Sequence, residues 1–189
     1  MTENQSEPII WLYNFAKRRV IDSGYGPEID YVQRRQFIDM NDIRFFEEYC
    51  FVVLCWGVKE QVGRQDYDRF MERLDPRTIR NRFSAKKQAA ISIAKENFVR
   101  WFGELKVAKD PVKYLNTLPL IGNVMKWHLA RNLGIDCVKT DRHLIALAGE
   151  YGFKDPWEMC DCIQKSYPAD RLGTIDVVLW RWCNLGRPL

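Results

Sequence analysis

Asp141 is the residue of this sequence that is best placed to do chemistry. It follows Thr140 at the predicted start of a helix, 19 residues after Gly122 of the segment LPLIG (118–122). Helix N-termini stabilise ionised carboxylates through their unpaired N–H groups and the helix dipole. An ionised carboxylate can stabilise a cationic transition state or activate a water molecule. Aspartate here is also a common N-cap, and the two roles are compatible.

The segment before Asp141 predicts a hairpin that binds phosphate. Leu118-Pro119 ends one helix, because proline cannot continue the hydrogen-bond ladder. Gly122 permits a tight reversal and a close approach by another molecule. The N–H groups that open the next helix attract phosphate, and such contacts are made to the backbone of a nucleic acid. The alternative is an ordinary connection between two helices.

Most of the chain is predicted to be helical. Apolar residues recur with helical spacing along most of the chain, between capping residues and Pro or Gly stops. The predicted caps are Asn41 or Asp42, Ser84, Asp110 followed by Pro111, and Thr140 or Asp141. Residues 24–26 are predicted to form a loop after the first helix, and DPRTIRNRF (75–83) is a candidate short helix. No alternating series predicts a sheet, so the predicted fold class is all-α.

Composition indicates a packed protein and sets limits on its function. The 189 residues are enough for one large domain or two small lobes, and 47% are hydrophobic. The net charge of +4 is compatible with nucleic acid binding and equally with an ordinary enzyme surface. There is no signal peptide and no apolar run that could span a bilayer, so we expect a soluble, intracellular protein of the cytoplasm or nucleoid. Six cysteines without a C-x-x-C pair, together with two histidines, predict free thiols and no metal site.

The segment LPLIGNVMKWHLARNLGIDCVKTDRHLIALAGEYGF (118–153) resembles the helix-hairpin-helix (HhH-GPD) DNA glycosylase superfamily, which includes proteins of endonuclease III type. The signature of that family is a Leu-Pro-Gly-hydrophobic-Gly hairpin, a helix, a loop, and an Asp-x-His at a helix start. Gly122 matches the second hairpin glycine, Asp141 the catalytic aspartate and His143 the histidine after it. A weaker similarity extends over residues 43–187.

The resemblance implies a fold of two all-α lobes. A six-helix barrel domain with the hairpin is expected over residues 43–132. Residues 1–42 and 133–189 are expected to form the second lobe, which carries Asp141. The implied partner is double-stranded DNA, bound by a monomer that flips a damaged or modified base into a pocket between the lobes.

The resemblance also implies two sets of binding residues. DNA-backbone contacts are expected at Leu120, Gly122, Val124, Lys126 and Arg131. Residues of the base pocket are expected to be Trp56, Trp127 and His143. The sequence offers Trp56 or Gln61 as the residue that fills the gap left by the flipped base, and the choice stays open.

The implied reaction is cleavage of an N-glycosidic bond. Asp141 would stabilise the oxocarbenium-like sugar while water attacks. Bifunctional members carry a lysine two residues after the second hairpin glycine, where this chain has Val124. We therefore expect a monofunctional enzyme without efficient AP-lyase activity, although Lys126 and Lys139 lie nearby in sequence. Some members hold an iron–sulfur cluster on four cysteines after the closing helix, but Cys183 stands alone, so no cluster is expected. A monovalent cation at the hairpin is the one cofactor that stays open.

Departures from the family pattern leave alternatives. Leu120 replaces the first hairpin glycine, and Thr140 stands where members have proline. Residues 1–42 match the family poorly, and this basic and aromatic segment either contacts DNA, shapes an unusual pocket or is a solvated helix. The alternative functions are an enzyme acting on hypermodified pyrimidines in DNA and a DNA-binding module without catalysis. An unrelated helical protein with an accidental hairpin is the remaining alternative.

Overall fold

The structure is a computed structural model that describes residues 6–187. These residues form helices and no β-strand, which confirms the predicted all-α class. The α-helices are α1 (Ser6–Val20), α2 (Gly26–Arg34), α3 (Asp42–Cys55), α4 (Glu60–Arg73), α5 (Ser84–Val107), α6 (Pro111–Leu115), α7 (Met125–Asn132), α8 (Arg142–Glu150), α9 (Pro156–Ser166) and α10 (Leu172–Asn184).

The chain divides into two compact units. Unit 1 comprises Met1–Gln36 and Gly134–Leu189, and unit 2 comprises Phe37–Leu133. Unit 2, which is described throughout, contains five α-helices, α3 to α7, and short 3-10 turns at Phe37–Asp39 and Pro76–Thr78. Unit 1 contains α1, α2 and α8 to α10 within its described residues. The six-helix barrel stays a prediction.

Capping side chains stand at the start of α3, α6, α8 and α9. Asn41 accepts a hydrogen bond from the Arg44 N–H at the start of α3, and Asp110 accepts one from the Lys113 N–H at the start of α6. Both predicted caps are confirmed. The predicted cap Ser84 is wrong, because α5 includes Ser84 and its N-cap is Phe83, which has a φ of 70° and makes no capping bond.

Two predicted connections also differ from the structure. Residues 24–26 do not form an open loop, because Ile21–Tyr25 continue the path of α1 as a π-helical turn. Gly24, with a φ of 88°, makes the kink there, and Pro27 stands in the first turn of α2. The candidate helix over residues 75–83 is reduced to the 3-10 turn Pro76–Thr78, capped by Asp75.

The core of unit 1 forms around α1 and α10. The buried face of α1 consists of Ile9, Leu12, Tyr13, Ala16 and Val20, which recur with helical spacing. The Tyr13 hydroxyl donates a hydrogen bond to Asp170 Oδ2 at 2.6 Å. Lys17 Nζ lies 2.7 Å from the same oxygen. Asp170 therefore ties α1 to the segment that precedes α10.

The core of unit 2 forms around α3. Its buried aromatic residues contact rings on the neighbouring helices: Phe45 with Phe102, Phe46 with Phe70 and Phe98, and Tyr49 with Trp101. The fully buried Lys87 of α5 donates to the Leu54 carbonyl at 2.7 Å, near the C-terminus of α3. A cation is favourable at this end of a helix, although burial lowers the pKa of Lys87.

A glycine fixes the close packing between the end of α3 and the start of α4. A Cβ atom added at Gly63 would lie 2.7 Å from both Cα and Sγ of Cys55. Since backbone stands in the way, the two helices would have to separate. Gly63 is therefore required by packing alone.

Gly63→Ala should lower the free energy of unfolding by about 1–3 kcal/mol, because the added methyl overpacks this contact. The matched control is Gly103→Ala in α5, where an added Cβ would meet nothing within 4 Å. This control should raise stability by roughly 0.5–1 kcal/mol, since alanine favours a helix interior. Urea unfolding of the three proteins measures both effects, and equal stability of Gly63→Ala and wild type would contradict the packing argument.

Candidate functional site

The predicted hairpin connects α6 to α7 within unit 2. Leu118 and Ile121 are buried and fix the two sides of the turn, and the Ile121 N–H donates to the Leu118 carbonyl at 3.1 Å. Leu120 lies between them with a φ of 59°, in the left-handed region that favours glycine. The backbone thus takes a glycine-type conformation at a position that carries leucine.

Tyr49 of α3 holds the hairpin through its backbone. Its ring is fully buried and its hydroxyl donates a hydrogen bond to the Pro119 carbonyl at 2.8 Å. The carbonyl belongs to the residue directly before Leu120, so the bond lies at the strained point of the turn. Burial raises the pKa of Tyr49 above its ordinary value.

Gly122 is exposed and is not required by the fold. An added Cβ atom would meet nothing within 4 Å, and the φ of Gly122 lies outside the left-handed region. Glycine here therefore leaves open space beside the chain, where another molecule can approach the backbone closely.

The start of α7 adds polar groups beside this space. Val124, the N-cap, is 44% exposed and makes no side-chain capping bond to the N–H groups of the first turn. Lys126 lies in that turn, with Nζ 5.4 Å from the centre of the Trp127 ring. Leu120, Gly122, Val124 and Lys126 lie in one segment, and their contact with DNA stays a prediction.

Arg131 differs from the other predicted backbone contacts. It lies at the end of α7 and is only 7% exposed, so a DNA phosphate has little access to its guanidinium. The next residue, Asn132, donates to Glu48 Oε2 at 2.9 Å, which fastens this end of α7 to α3. We therefore leave Arg131 out of the proposed phosphate contacts.

Asp141 is the N-cap of α8 in unit 1. Its Oδ1 accepts hydrogen bonds from the N–H groups of His143 and Leu144, at 2.9 and 3.2 Å. The predicted cap is confirmed. The side chain is 12% exposed, and its Oδ2 lies 3.7 Å from Lys139 Nζ. One oxygen of the carboxylate is therefore fixed by the helix and the other faces a cation.

A series of contacts between charged and aromatic side chains connects Asp141 to α10. Lys139 Nζ lies 5.4 Å from the ring centre of Trp180, and the Arg181 guanidinium lies 4.7 Å from the same ring. Lys139 is itself only 13% exposed. Trp180 thus lies close to two cations, one of which neighbours Asp141.

The series of side-chain contacts continues from α10 to α2. Arg181 makes a forked hydrogen bond to Glu28, at 2.8 and 3.0 Å, and its guanidinium lies 4.3 Å from the Tyr25 ring. Sequence reasoning missed these contacts, since residues 25 and 181 are far apart along the chain. The proximity of Lys139 to Asp141 in sequence was the only signal of the cluster.

The predicted base-pocket residues occur in both units. In unit 2, Trp56 directly follows α3, and the centre of its ring lies 5.0 Å from that of Phe83. Trp127 stands in the first turn of α7. All three predicted residues are half-buried. His143 belongs to unit 1, where its backbone N–H binds Asp141. Their assignment to a pocket stays a prediction.

The described residues contain no group of three or more His, Cys, Asp or Glu side chains that could hold a metal ion. The six cysteines, all of them within residues 6–187, form no disulfide. Burial raises the pKa of the Cys50 and Cys160 thiols, which disfavours their reactive thiolate form. None of the helices described is both long and apolar enough to cross a membrane.

Comparison of the chain with protein-family models, curated proteins and solved structures found no match.

Tyr49→Phe should lower the free energy of unfolding by about 1–3 kcal/mol near neutral pH, because the Pro119 carbonyl loses its donor. The difference from wild type should shrink above pH 10. There the unfolded chain releases the tyrosine proton that the folded protein still holds, so the stability contributed by Tyr49 is lost as the pH rises.

Denaturant unfolding between about pH 7 and pH 11 measures this difference. The control is Tyr31→Phe, which changes a ring that is 44% exposed and should have little effect. A Tyr49→Phe difference that does not depend on pH would contradict the role of the buried hydroxyl.

Proposed function

We propose that this protein is a DNA N-glycosylase of the helix-hairpin-helix type, which removes a damaged or modified base with Asp141 as its catalytic carboxylate. The observation that carries the proposal is the left-handed φ of 59° at Leu120. The family signature has glycine at this position, and the chain adopts the backbone conformation that glycine favours although it carries leucine. The backbone geometry at Leu120 thus supports the motif that the sequence resembles.

The hairpin is the proposed phosphate site. Gly122 leaves space for a phosphate beside the backbone, and no side chain caps the start of α7. The Lys126 N–H donates to the Gly122 carbonyl at 3.0 Å, so this helix end attracts a phosphate through its dipole. Lys126 adds a positive charge in the same turn. These contacts are made to the DNA backbone, so they should position double-stranded DNA without selecting its sequence.

Asp141 is the proposed stabiliser of the sugar cation. As the bond from C1′ to the base nitrogen breaks, its electron pair leaves with the base and positive charge develops on the sugar. Oδ2 of Asp141 opposes that charge, while Oδ1 keeps the carboxylate fixed through the two N–H groups of α8. Water then supplies a hydroxyl group to C1′, and its proton neutralises the base.

Lys139 sets a condition on this reaction. Its ammonium group, 3.7 Å from Oδ2, competes with the developing sugar cation for the same carboxylate. We expect Lys139 to exchange Asp141 for a DNA phosphate in the complex, since a phosphate is the nearest strong anion that the substrate offers.

The proposed enzyme is monofunctional. Val124 occupies the position at which bifunctional members have their lysine, and an aliphatic side chain cannot form a Schiff base. Lys139 is the lysine beside Asp141, so efficient borohydride trapping of Lys139 on abasic DNA would contradict this part of the proposal.

A second candidate is an enzyme that acts on hypermodified pyrimidines in DNA. The contacts of Arg181 favour it, because Tyr25 and Glu28 bring the poorly matching N-terminal segment into the cluster that leads to Asp141. Such a segment could adapt the surroundings of Asp141 to a base with a large substituent. A panel of duplexes that includes substituted pyrimidines separates the two candidates.

Asp141→Asn should reduce base release at least about 100-fold, because the amide cannot oppose the positive charge of the sugar. Stability should change little, since asparagine is an equally good N-cap. Duplexes that each contain one damaged or modified base are incubated with the protein and then treated with alkali to reveal abasic sites.

The matched control is Asp155→Asn. Asp155 caps α9 by accepting from the Glu158 N–H, so this variant makes the same change at a cap in the same unit. It should release base as wild type does. If wild type and Asp141→Asn both bind DNA and neither releases any base, the protein is a binding module without catalysis.

Gly122→Val should weaken binding to every duplex by a similar factor, because the side chain fills the space proposed for a phosphate. The fold should tolerate the change, since nothing lies within 4 Å of the added Cβ. Fluorescence anisotropy with several labelled duplexes gives the affinities, and urea unfolding gives the stability. A loss confined to one DNA sequence, or no loss at all, would contradict the phosphate site.

A further inference from the structure

The two N-terminal helices repeat a short pattern in which an aromatic residue is followed by arginines three and four positions later. The pattern occurs as FAKRR (15–19) at the end of α1 and as YVQRR (31–35) at the end of α2. Residues four apart lie side by side on a helix, so the second arginine can cover the aromatic ring. Neither the hairpin nor Asp141 accounts for this repetition.

The structure forms the contact at both places. The Arg19 guanidinium lies 5.4 Å from the centre of the Phe15 ring, and that of Arg35 lies 4.4 Å from the centre of the Tyr31 ring. Arg35 also donates a hydrogen bond to the Tyr31 hydroxyl. Both aromatic–arginine pairs belong to unit 1.

Trp11 extends the first pair. Its ring is stacked on Phe15, with centres 5.3 Å apart and an angle of 9° between the planes. Trp11, Phe15 and Arg19 therefore form a continuous stack along successive turns of α1, which we call the α1 stack. Trp11 is 67% exposed, so the ring face turned away from Phe15 is open to a ligand.

The α1 stack contributes little to the core of unit 1. The core face of α1 runs through Ile9, Tyr13 and Ala16, each fully buried, whereas Trp11 points away from it. An exposed tryptophan that is already ordered by stacking is well suited to binding, because it offers a large rigid surface.

The charges of α1 favour a nucleic acid as the ligand. Glu7 is the acidic residue of its first turn, and Lys17, Arg18 and Arg19 follow in its last turn. Lys17 is paired with Asp170, but Arg18 is exposed beside the stack. In the second copy of the pattern, the Arg34 side chain is 82% exposed and lies 3.6 Å from Asp30. Guanidinium groups bind phosphates, and aromatic faces stack on unpaired bases.

We propose that the α1 stack binds unpaired nucleotides of a DNA strand, with a base on the open face of Trp11 and a phosphate on Arg18. The Tyr31–Arg35 pair, with Arg34, provides a second contact of the same chemistry. The choice of DNA as the nucleic acid rests on the proposed function, whereas the stacking surface is independent of Asp141.

Trp11→Ala tests the stack through the affinity for single-stranded DNA. Fluorescence anisotropy with a labelled oligothymidylate should show binding that is about 5- to 150-fold weaker, the range expected for losing one stacked base. Trp11→Phe keeps an aromatic face and should restore most of the affinity. Urea unfolding should show all of these proteins to be about equally stable, because Trp11 is exposed.

Arg18→Gln tests the phosphate contact through salt dependence. The slope of log affinity against log salt concentration should decrease in magnitude by about 0.7, the value for one phosphate of a single strand. The control is Lys165→Gln, which removes an exposed cation of α9 in the same unit and should leave the slope unchanged.

Unchanged affinity of Trp11→Ala for single-stranded DNA would overturn the inference. The inference would also fail if Trp11→Ala abolished self-association of the protein without affecting DNA, since the stack would then bind a second copy. Base release from duplexes is measured separately. Absent release with a clear Trp11 effect would contradict only the proposed function, and normal release without a Trp11 effect would contradict only this inference.

Discussion

The hydrogen bonds from the His143 and Leu144 N–H groups to Asp141 Oδ1 are the interaction on which the proposed chemistry depends. The same two bonds cap α8 and fix the direction of the carboxylate. A carboxylate held by the helix need not reorient when a positive charge develops beside it, which is what makes a preorganised group effective. The same bonds explain why Oδ2 is the oxygen that faces Lys139.

The hairpin of unit 2 contains a strained residue that its neighbours hold in place. A left-handed conformation costs a residue such as Leu120 roughly 1–2 kcal/mol relative to glycine. The neighbouring residues hold the turn in place: Leu118 and Ile121 are buried on either side, and Tyr49 binds the Pro119 carbonyl from α3. At Gly122, in contrast, neither the backbone conformation nor the packing requires glycine. The residue that the turn strains and the residue that leaves space for a ligand are therefore different, which lets binding and stability be tested separately.

Local rules predicted the parts of this structure that depend on neighbouring residues. Asn41, Asp110 and Asp141 are caps because their side chains reach N–H groups two or three residues ahead. The same rules were wrong at Ser84, where α5 begins after a left-handed Phe83. They could not reveal that Trp180 contacts Lys139 or that Arg181 binds Glu28, since these contacts depend on how α2 and α10 pack within unit 1. The left-handed φ of Leu120 was equally hidden, because leucine rarely adopts it.

The central claim is that Asp141 supports hydrolytic removal of a base from DNA. The most direct measurement is mass spectrometry of the DNA strand after a single turnover on duplexes with one damaged or modified base, before any alkali is added. We expect a strand of full length that has lost one base and gained one water, formed by wild type and not by Asp141→Asn. Strands that keep every base with wild-type protein, or equal loss with both proteins, would contradict it.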